Sequence, residues 1–409
     1  MLKTNSKGKI FTLFIAIFSF FIVVITLLSV IFPALIISNI GIQSNDLEQF
    51  EIGNDGFIIL LCNIVIVSLG IAYYKNKLPS QFQKGLSNLL QKQLSKKITI
   101  IILVVILLPY IVLSSPELLI DEGSQAPDYQ IFLAAKNIFP FGKTTFTEAA
   151  EQNDRYVRMI LLITSLEIFQ NVKIIPFLGS IALLITTYLF TNEITKNKLA
   201  GIISLLVVIQ SYTFLRYDTF AMYENFWVLF YILSLYLIFK NFYSSSISYA
   251  LSILTKAFTA IFLPLSVVFI LYSNLTKKAK IMILSSYALM IAVIITIWSL
   301  DTSVYDSIIR FDITQLVLAL TKTSYQLRFD GLFLAAILPL TIGLIIKARN
   351  GYHIAAPILF LITGTIFSGA IIEMLSDHFV ILPYRFIPTI VFFAVGIGIL
   401  FNQNGNKQT

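Results

Sequence analysis

Long apolar runs fill most of this chain, and they set the class of fold it can adopt. Hydrophobic residues make up 57% of its 409 residues and charged residues only 12%, whereas about a quarter of an ordinary soluble chain is charged. A hydrocarbon core about 30 Å thick requires about 20 apolar residues per helix. Runs of this kind lie at 10–39, 56–74, 98–119, 174–191, 198–215, 222–239, 257–273, 281–299, 331–347, 354–373 and 386–402. The sequence therefore predicts an all-α polytopic membrane protein.

Two shorter apolar stretches, 157–170 and 246–255, are too short for secure spans, and we expect interfacial or re-entrant helices there. Depending on these two stretches, the span count is about 11–13. The first run is too long for a signal-peptide core, which predicts a signal anchor. We divide the chain into 1–97, with two spans and a basic loop, a core at 98–402 with a large first outer loop, and a polar tail at 403–409. No separate soluble domain is expected.

The distribution of charge predicts the orientation of the chain in the membrane. If the N-terminus faces the cytoplasm, most of the 29 basic residues fall in cytoplasmic segments and nearly all of the 21 acidic residues fall outside. The net charge of +8 is then a signal of topology, and no nucleic-acid partner is expected. The prediction is a multi-pass protein of the cell membrane with a cytoplasmic N-terminus.

Three carboxylates at the ends of predicted spans are candidate catalytic residues. Asp121 and Glu122 directly follow the run 98–119, and Glu224 lies at the start of another run. An ionisable group within a span costs about 2.5–3.5 kcal/mol on insertion scales, so such groups are functional candidates. Two plainer interpretations stay open, namely a solvated loop start for the pair and a first-turn acid that suits the helix dipole for Glu224.

Three cations on the same predicted side are candidate phosphate ligands: Arg216, Lys256 and Arg385. Arg216 has the alternative of pairing with Asp218. Lys256 has the alternative of reaching the membrane interface along its aliphatic stem, and Arg385 that of an interfacial anchor. Carboxylates for proton transfer and cations for a phosphate, all on one side of the membrane, suit chemistry on a phosphate-linked lipid.

Metal and disulfide sites receive little support from the sequence. Cys62 is the one cysteine, and His353 and His378 are isolated, so neither an internal disulfide nor a metal-ligand spacing is present. The sequence pattern does not by itself require a particular cofactor. A divalent metal shared by Asp121 and Glu122 stays open.

Several segments resemble one family in their order and spacing. Ile120–Glu122, then Asp128-Tyr129 and Ala134–Ile138, resemble the first outer loop of the polytopic glycosyltransferases of superfamily C, which include protein O-mannosyltransferases and lipid A aminoarabinose transferases. Leu251–Lys256 is similar to the family's G-x-x-x-x-T-K segment, and Leu382–Pro388 to its late R-Y-x-x-P segment. The resemblance covers about 98–402. Departures include Arg155–Met159 in place of a Pro-Pro pair, and Glu224 in place of the usual Asp.

The resemblance implies an inverting transfer of a sugar from a polyprenyl-phosphate donor to a lipid or protein glycan acceptor on the outer face. Asp121 would be the base, with Glu122 beside it and Glu224 as a further catalytic acid, and the cations would hold the departing phosphate. Membrane lipids are the other expected partners. Two rivals stay open, a transporter or flippase and a non-catalytic membrane subunit of a larger complex. The position of the acids at span ends disfavours a transporter.

Overall fold

Helices form the regular structure of this chain. The computed structural model describes residues 6–34, 50–53, 55–91, 93–124, 129, 132, 156–299, 313, 316–375 and 382–402. The predicted tail 403–409 and most of the predicted first outer loop, including Asp128 and Ala134–Ile138, lie outside the described residues. Across the described part of the chain the structure contains helices and no strand, which confirms the predicted all-α class.

The α-helices are α1 (Ser6–Ile31), α2 (Gly56–Tyr74), α3 (Ser80–Gln91), α4 (Lys96–Ser114), α5 (Tyr156–Phe169), α6 (Ile174–Thr195), α7 (Lys198–Ile209), α8 (Tyr212–Tyr217), α9 (Phe226–Leu237), α10 (Phe242–Thr255), α11 (Leu263–Tyr272), α12 (Lys277–Ser299), α13 (Leu316–Tyr325), α14 (Gly331–Arg349), α15 (Ala355–Leu375) and α16 (Ile387–Leu400). Short 3-10 helices lie at Ser115–Leu119, Glu122–Ser124, Ala257–Phe262, Gln326–Phe329 and Pro383–Phe386.

Eight of the described helices are long and apolar enough to cross a membrane: Ile10–Ile31, Gly56–Tyr74, Lys96–Leu119, Ile174–Thr195, Lys277–Thr296, Gly331–Arg349, Ala355–Met374 and Pro383–Leu400. Three shorter apolar helices lie at Lys198–Ile209, Phe226–Leu237 and Ala257–Tyr272. Each of the apolar runs in the sequence overlaps one of these helices, and the end of the first run, 35–39, lies outside the described residues. The chain is therefore a multi-pass membrane protein, as predicted. The two shorter stretches form α5 and α10.

The first of two compact units comprises residues 1–95, 194–213 and 309–409. In this unit α1 packs on α13, α14 and α15, while α16 packs on α7, α14 and α15. Hydroxyl groups join the buried faces of these helices: Ser19 bonds Thr363 at 3.0 Å, and Ser204 Oγ donates to the carbonyl of Ala394 at 2.8 Å. Hydroxyl and carbonyl groups satisfy one another here, as the membrane interior requires.

The second unit comprises residues 96–193 and 214–308. Its α9 and α10 pack side by side along their length, and α10 also packs on α5 and α12. Serine hydroxyls at 245, 248 and 252 of α10 donate to carbonyls of α9 at residues 234, 230 and 227, with distances of 2.8, 2.8 and 2.6 Å. Small hydroxylated residues let the two backbones approach closely. This helix pair supports the segment that carries the candidate site.

Candidate functional site

The segment Asp218–Asn225, between α8 and α9, is the centre of a buried polar cluster in the second unit. Glu122 reaches it from the 3-10 helix Glu122–Ser124. One of its oxygens, Oε1, accepts hydrogen bonds from the backbone N–H groups of Ala221 at 3.1 Å and Met222 at 3.0 Å. Its Oε2 lies 3.4 Å from Nζ of Lys173. Glu122 is only 3% exposed, so its carboxylate holds the segment in place from inside the protein.

Lys173 supplies the positive charge that this buried carboxylate requires. Helix α5 ends at Phe169, and Gln170 takes a left-handed conformation, with φ of 54°, that turns the chain toward α6. The turn places Lys173 inside the unit, where it is 1% exposed. Its Nζ also donates to the carbonyl of Glu117 at 3.1 Å and lies 5.7 Å from the centre of the Phe220 ring. A buried ion pair with added hydrogen bonds avoids the cost of an isolated charge.

A second buried ion pair joins α5 to the same segment. Nε of Arg158 lies 3.0 Å from Oε2 of Glu224, and its Nη2 donates to the carbonyl of Met222 at 2.7 Å. Both side chains are buried. Glu224, predicted as a catalytic acid, is therefore paired with a guanidinium. Arg158 comes from the stretch in which the sequence departs from the family's Pro-Pro pair.

Asp218 is the third buried carboxyl of the cluster, and two serine hydroxyl groups donate hydrogen bonds to this residue. Ser114 Oγ donates to its Oδ2 at 3.0 Å, and Ser180 Oγ donates to its backbone carbonyl at 2.7 Å. Burial raises the pKa of Asp218 to about 7, and the charge of Glu117 adds to this, while the hydrogen bond from Ser114 acts in the opposite direction. A carboxyl with such a pKa is partly protonated at neutral pH.

Asp121 differs from its neighbour in exposure, although the two acids are adjacent in sequence. Asp121 is exposed, whereas Glu122 is buried. The Tyr129 ring lies nearby and stacks on Phe132 with a centroid distance of 5.9 Å. Burial raises the pKa of the Tyr129 phenol, and the charges of Asp121 and Glu122 raise it further. The acidic pair is thus divided into one carboxylate inside the protein and one at its surface.

The predicted cations occupy different places. Arg216 is exposed, with Cζ 5.7 Å from the centre of the Phe220 ring, and Lys256 is half-buried, with Nζ 5.7 Å from the Trp227 ring. Lys256 has an extended backbone between α10 and the 3-10 helix Ala257–Phe262. Arg385 belongs to the first unit, where its Nε donates to the Tyr384 hydroxyl at 3.3 Å. The second unit therefore holds five of the six predicted site residues.

Lys173 and Arg158 were not predicted as site residues. Arg158 lies within the short apolar stretch 157–170 and Lys173 lies three residues after it, which is the one signal the sequence offers for them. A candidate metal centre, meaning three or more clustered His, Cys, Asp or Glu, is absent from the described residues. Glu122 and Glu224 each already have a cationic partner.

Comparison of the chain with protein-family models, with curated proteins and with solved structures finds no match. The resemblance to superfamily C glycosyltransferases stays a hypothesis that rests on the residues quoted above.

Proposed function

We propose that this protein is an integral-membrane glycosyltransferase that moves a sugar from a polyprenyl-phosphate donor to an acceptor hydroxyl. One observation supports the proposal above the others: Asp121 is exposed directly beside a neighbour that is fixed by Lys173 and two backbone N–H groups. A general base must be both accessible and held in position. Asp121 is accessible, and its fixed neighbour Glu122 holds it in position.

The proposed reaction is a single displacement. Asp121 takes the proton of the acceptor hydroxyl, and the acceptor oxygen forms a bond to the anomeric carbon. The bond from that carbon to the phosphate oxygen breaks, and the phosphate departs with the electron pair. The configuration at the anomeric carbon is inverted. Because a phosphate is already a good leaving group, the protein has to supply cations rather than an acid. Arg216 and Lys256 are the candidates in the second unit, which also holds Asp121.

Glu122 and Glu224 receive a positioning role in this proposal in place of a chemical one. Their ion pairs with Lys173 and Arg158 hold the segment Asp218–Asn225 that Arg216 precedes. The outer face as the location of the site follows from the charge distribution and is part of the same proposal.

The test is transfer of labelled sugar from polyprenyl-phosphate donors by the purified full-length protein in lipid nanodiscs, with donor affinity measured separately. Asp121→Asn keeps the size of the side chain and removes the base, so transfer should fall about 10²–10⁴-fold with little change in donor affinity. Asp55→Asn is the matched control, since Asp55 is an exposed acid of the first unit, and it should leave the rate unchanged. Arg216→Ala and Lys256→Ala should instead weaken donor binding by about 1.5–3 kcal/mol.

Full activity in Asp121→Asn would refute the assignment of the base. A non-catalytic membrane subunit is the second candidate, because two of the three predicted acids are neutralised by buried cations. That candidate is supported if the wild type neither transfers sugar nor binds any donor of the panel. Movement of the donor lipid across the bilayer without transfer of its sugar would favour a flippase.

A further inference from the structure

Helix α3 and the residues before it form an unusual connection after a membrane span. The segment 75–97 contains six lysines and neither aspartate nor glutamate. Phe82, Leu86, Leu89 and Leu90 follow one another at separations of one, three or four residues, which places these positions on one side of a helix. Lys84 and Asn88 fall on the opposite side. By its sequence, α3 therefore has an apolar side and a polar side that carries Lys84.

The turn after α2 places α3 close to the end of that span. Helix α2 ends at Tyr74, and the N–H of Lys77 bonds the carbonyl of Ala72 at 2.8 Å, while the N–H of Asn76 bonds that of Tyr73 at 3.1 Å. This is the Schellman pattern, and Asn76 takes the left-handed conformation it needs, with φ of 53°. The chain turns sharply where the span ends, and only residues 75–79 separate α2 from α3.

A side-chain hydrogen bond then sets how α3 leaves the turn. Nε2 of Gln83 donates to Oδ1 of Asn76 at 2.5 Å. The described side chains of α3 other than Gln83 are exposed, and Phe82 is 59% exposed. An aromatic ring left in water beside a membrane span loses the free energy that burial in the interface would provide.

We propose that α3 and its neighbouring lysines form a binding surface for anionic lipid headgroups. The apolar face of α3 enters the boundary between headgroups and acyl chains, while Lys75, Lys77 and Lys84 bind the negatively charged headgroups. Charge complementarity selects an anionic membrane in preference to a neutral one, because the segment 75–97 carries six lysines and no acidic residue. This inference is independent of the proposed transferase activity.

The test is the number of lipids retained by the full-length protein in native mass spectrometry, after equilibration in micelles with phosphatidylglycerol or with phosphatidylcholine. A lysine near an anionic surface contributes about fivefold to binding, so Lys77→Gln with Lys84→Gln should weaken phosphatidylglycerol binding about 30-fold. The charge-matched control is Lys277→Gln with Lys278→Gln, which removes two exposed lysines at the start of α12, a helix without the apolar face of α3, and should weaken this binding much less. Thermal unfolding in phosphatidylcholine checks that both variants fold.

Phe82→Ser provides a second arm, because it removes the apolar anchor and no charge. We expect it to weaken phosphatidylglycerol binding at high salt, where the contribution of the lysines is screened. Equal retention of the two lipids by the wild type would overturn the proposal. Equal losses in the α3 variant and in the α12 control would overturn it as well, since the effect would then come from net charge alone.

Discussion

Replacement of Lys173 by Met tests whether the buried ion pair holds the candidate site together. The change keeps an apolar stem of similar length and removes the charge that faces Glu122 at 3.4 Å. Loss of one partner of a buried pair costs about 3–5 kcal/mol. Oε1 of Glu122 keeps its two backbone N–H donors, so we expect the lower end of this range, about 3 kcal/mol. This corresponds to a change of about 150-fold in the unfolding equilibrium.

The double variant Lys173→Met with Glu122→Gln separates the charge from the packing. The Gln carbonyl oxygen can still accept from the N–H groups of Ala221 and Met222, and the buried negative charge is gone. We therefore expect the double variant to be at least about 2 kcal/mol more stable than the sum of the two single changes. The control is Lys240→Met, because the Lys240 side chain is 46% exposed beside Glu193 and such pairs contribute about 0–1 kcal/mol.

The measurement is reversible unfolding by sodium dodecyl sulfate in mixed micelles, followed by circular dichroism. A free energy of unfolding for Lys173→Met within about 0.5 kcal/mol of the wild type, the range of ordinary surface substitutions, would refute the reasoning. Strict additivity in the double variant would show that the two charges do not interact.

Three further predictions follow from the described residues. Burial raises the pKa of Asp218 to about 7. As pH rises from about 4 to 7, the carboxyl therefore ionises more readily in the unfolded chain than in the folded protein, and the free energy of unfolding falls. Asp218→Asn should reduce this fall, as measured by unfolding at pH 5 and 8. Gly179→Ala should destabilise the protein by about 1–3 kcal/mol, since its added Cβ would lie 2.7 Å from a neighbouring ring, whereas Gly70→Ala meets open space and should be neutral or stabilising in a thermal unfolding assay. With the native cysteine replaced by alanine, an impermeant thiol reagent applied to intact cells should label Ser115→Cys and leave Asn88→Cys unlabelled; the reverse pattern would overturn the predicted orientation.

The membrane helices could be predicted because a span requires only sufficient length and apolar composition, both of which are local properties. The run 174–191 and the helix Ile174–Thr195 illustrate this agreement. The partner of Glu122 could not be predicted in this way, since Lys173 reaches it through a turn and the packing of two helices. The sequence also does not show which of the adjacent acids Asp121 and Glu122 is buried. Which of them is buried depends on the direction in which the 3-10 helix Glu122–Ser124 begins.

The pairing of Glu122 with Lys173, and of Arg158 with Glu224, has a consequence for biosynthesis. In each pair the first member leaves the ribosome well before the second, so Glu122 and Arg158 enter the membrane environment without their partners. A charge in that position favours the aqueous interface until a counter-ion arrives. The segment Asp218–Asn225 can therefore close over these groups only after α6 and the start of α9 have been synthesised. A chain truncated before Glu224 would carry Arg158 without this counter-ion.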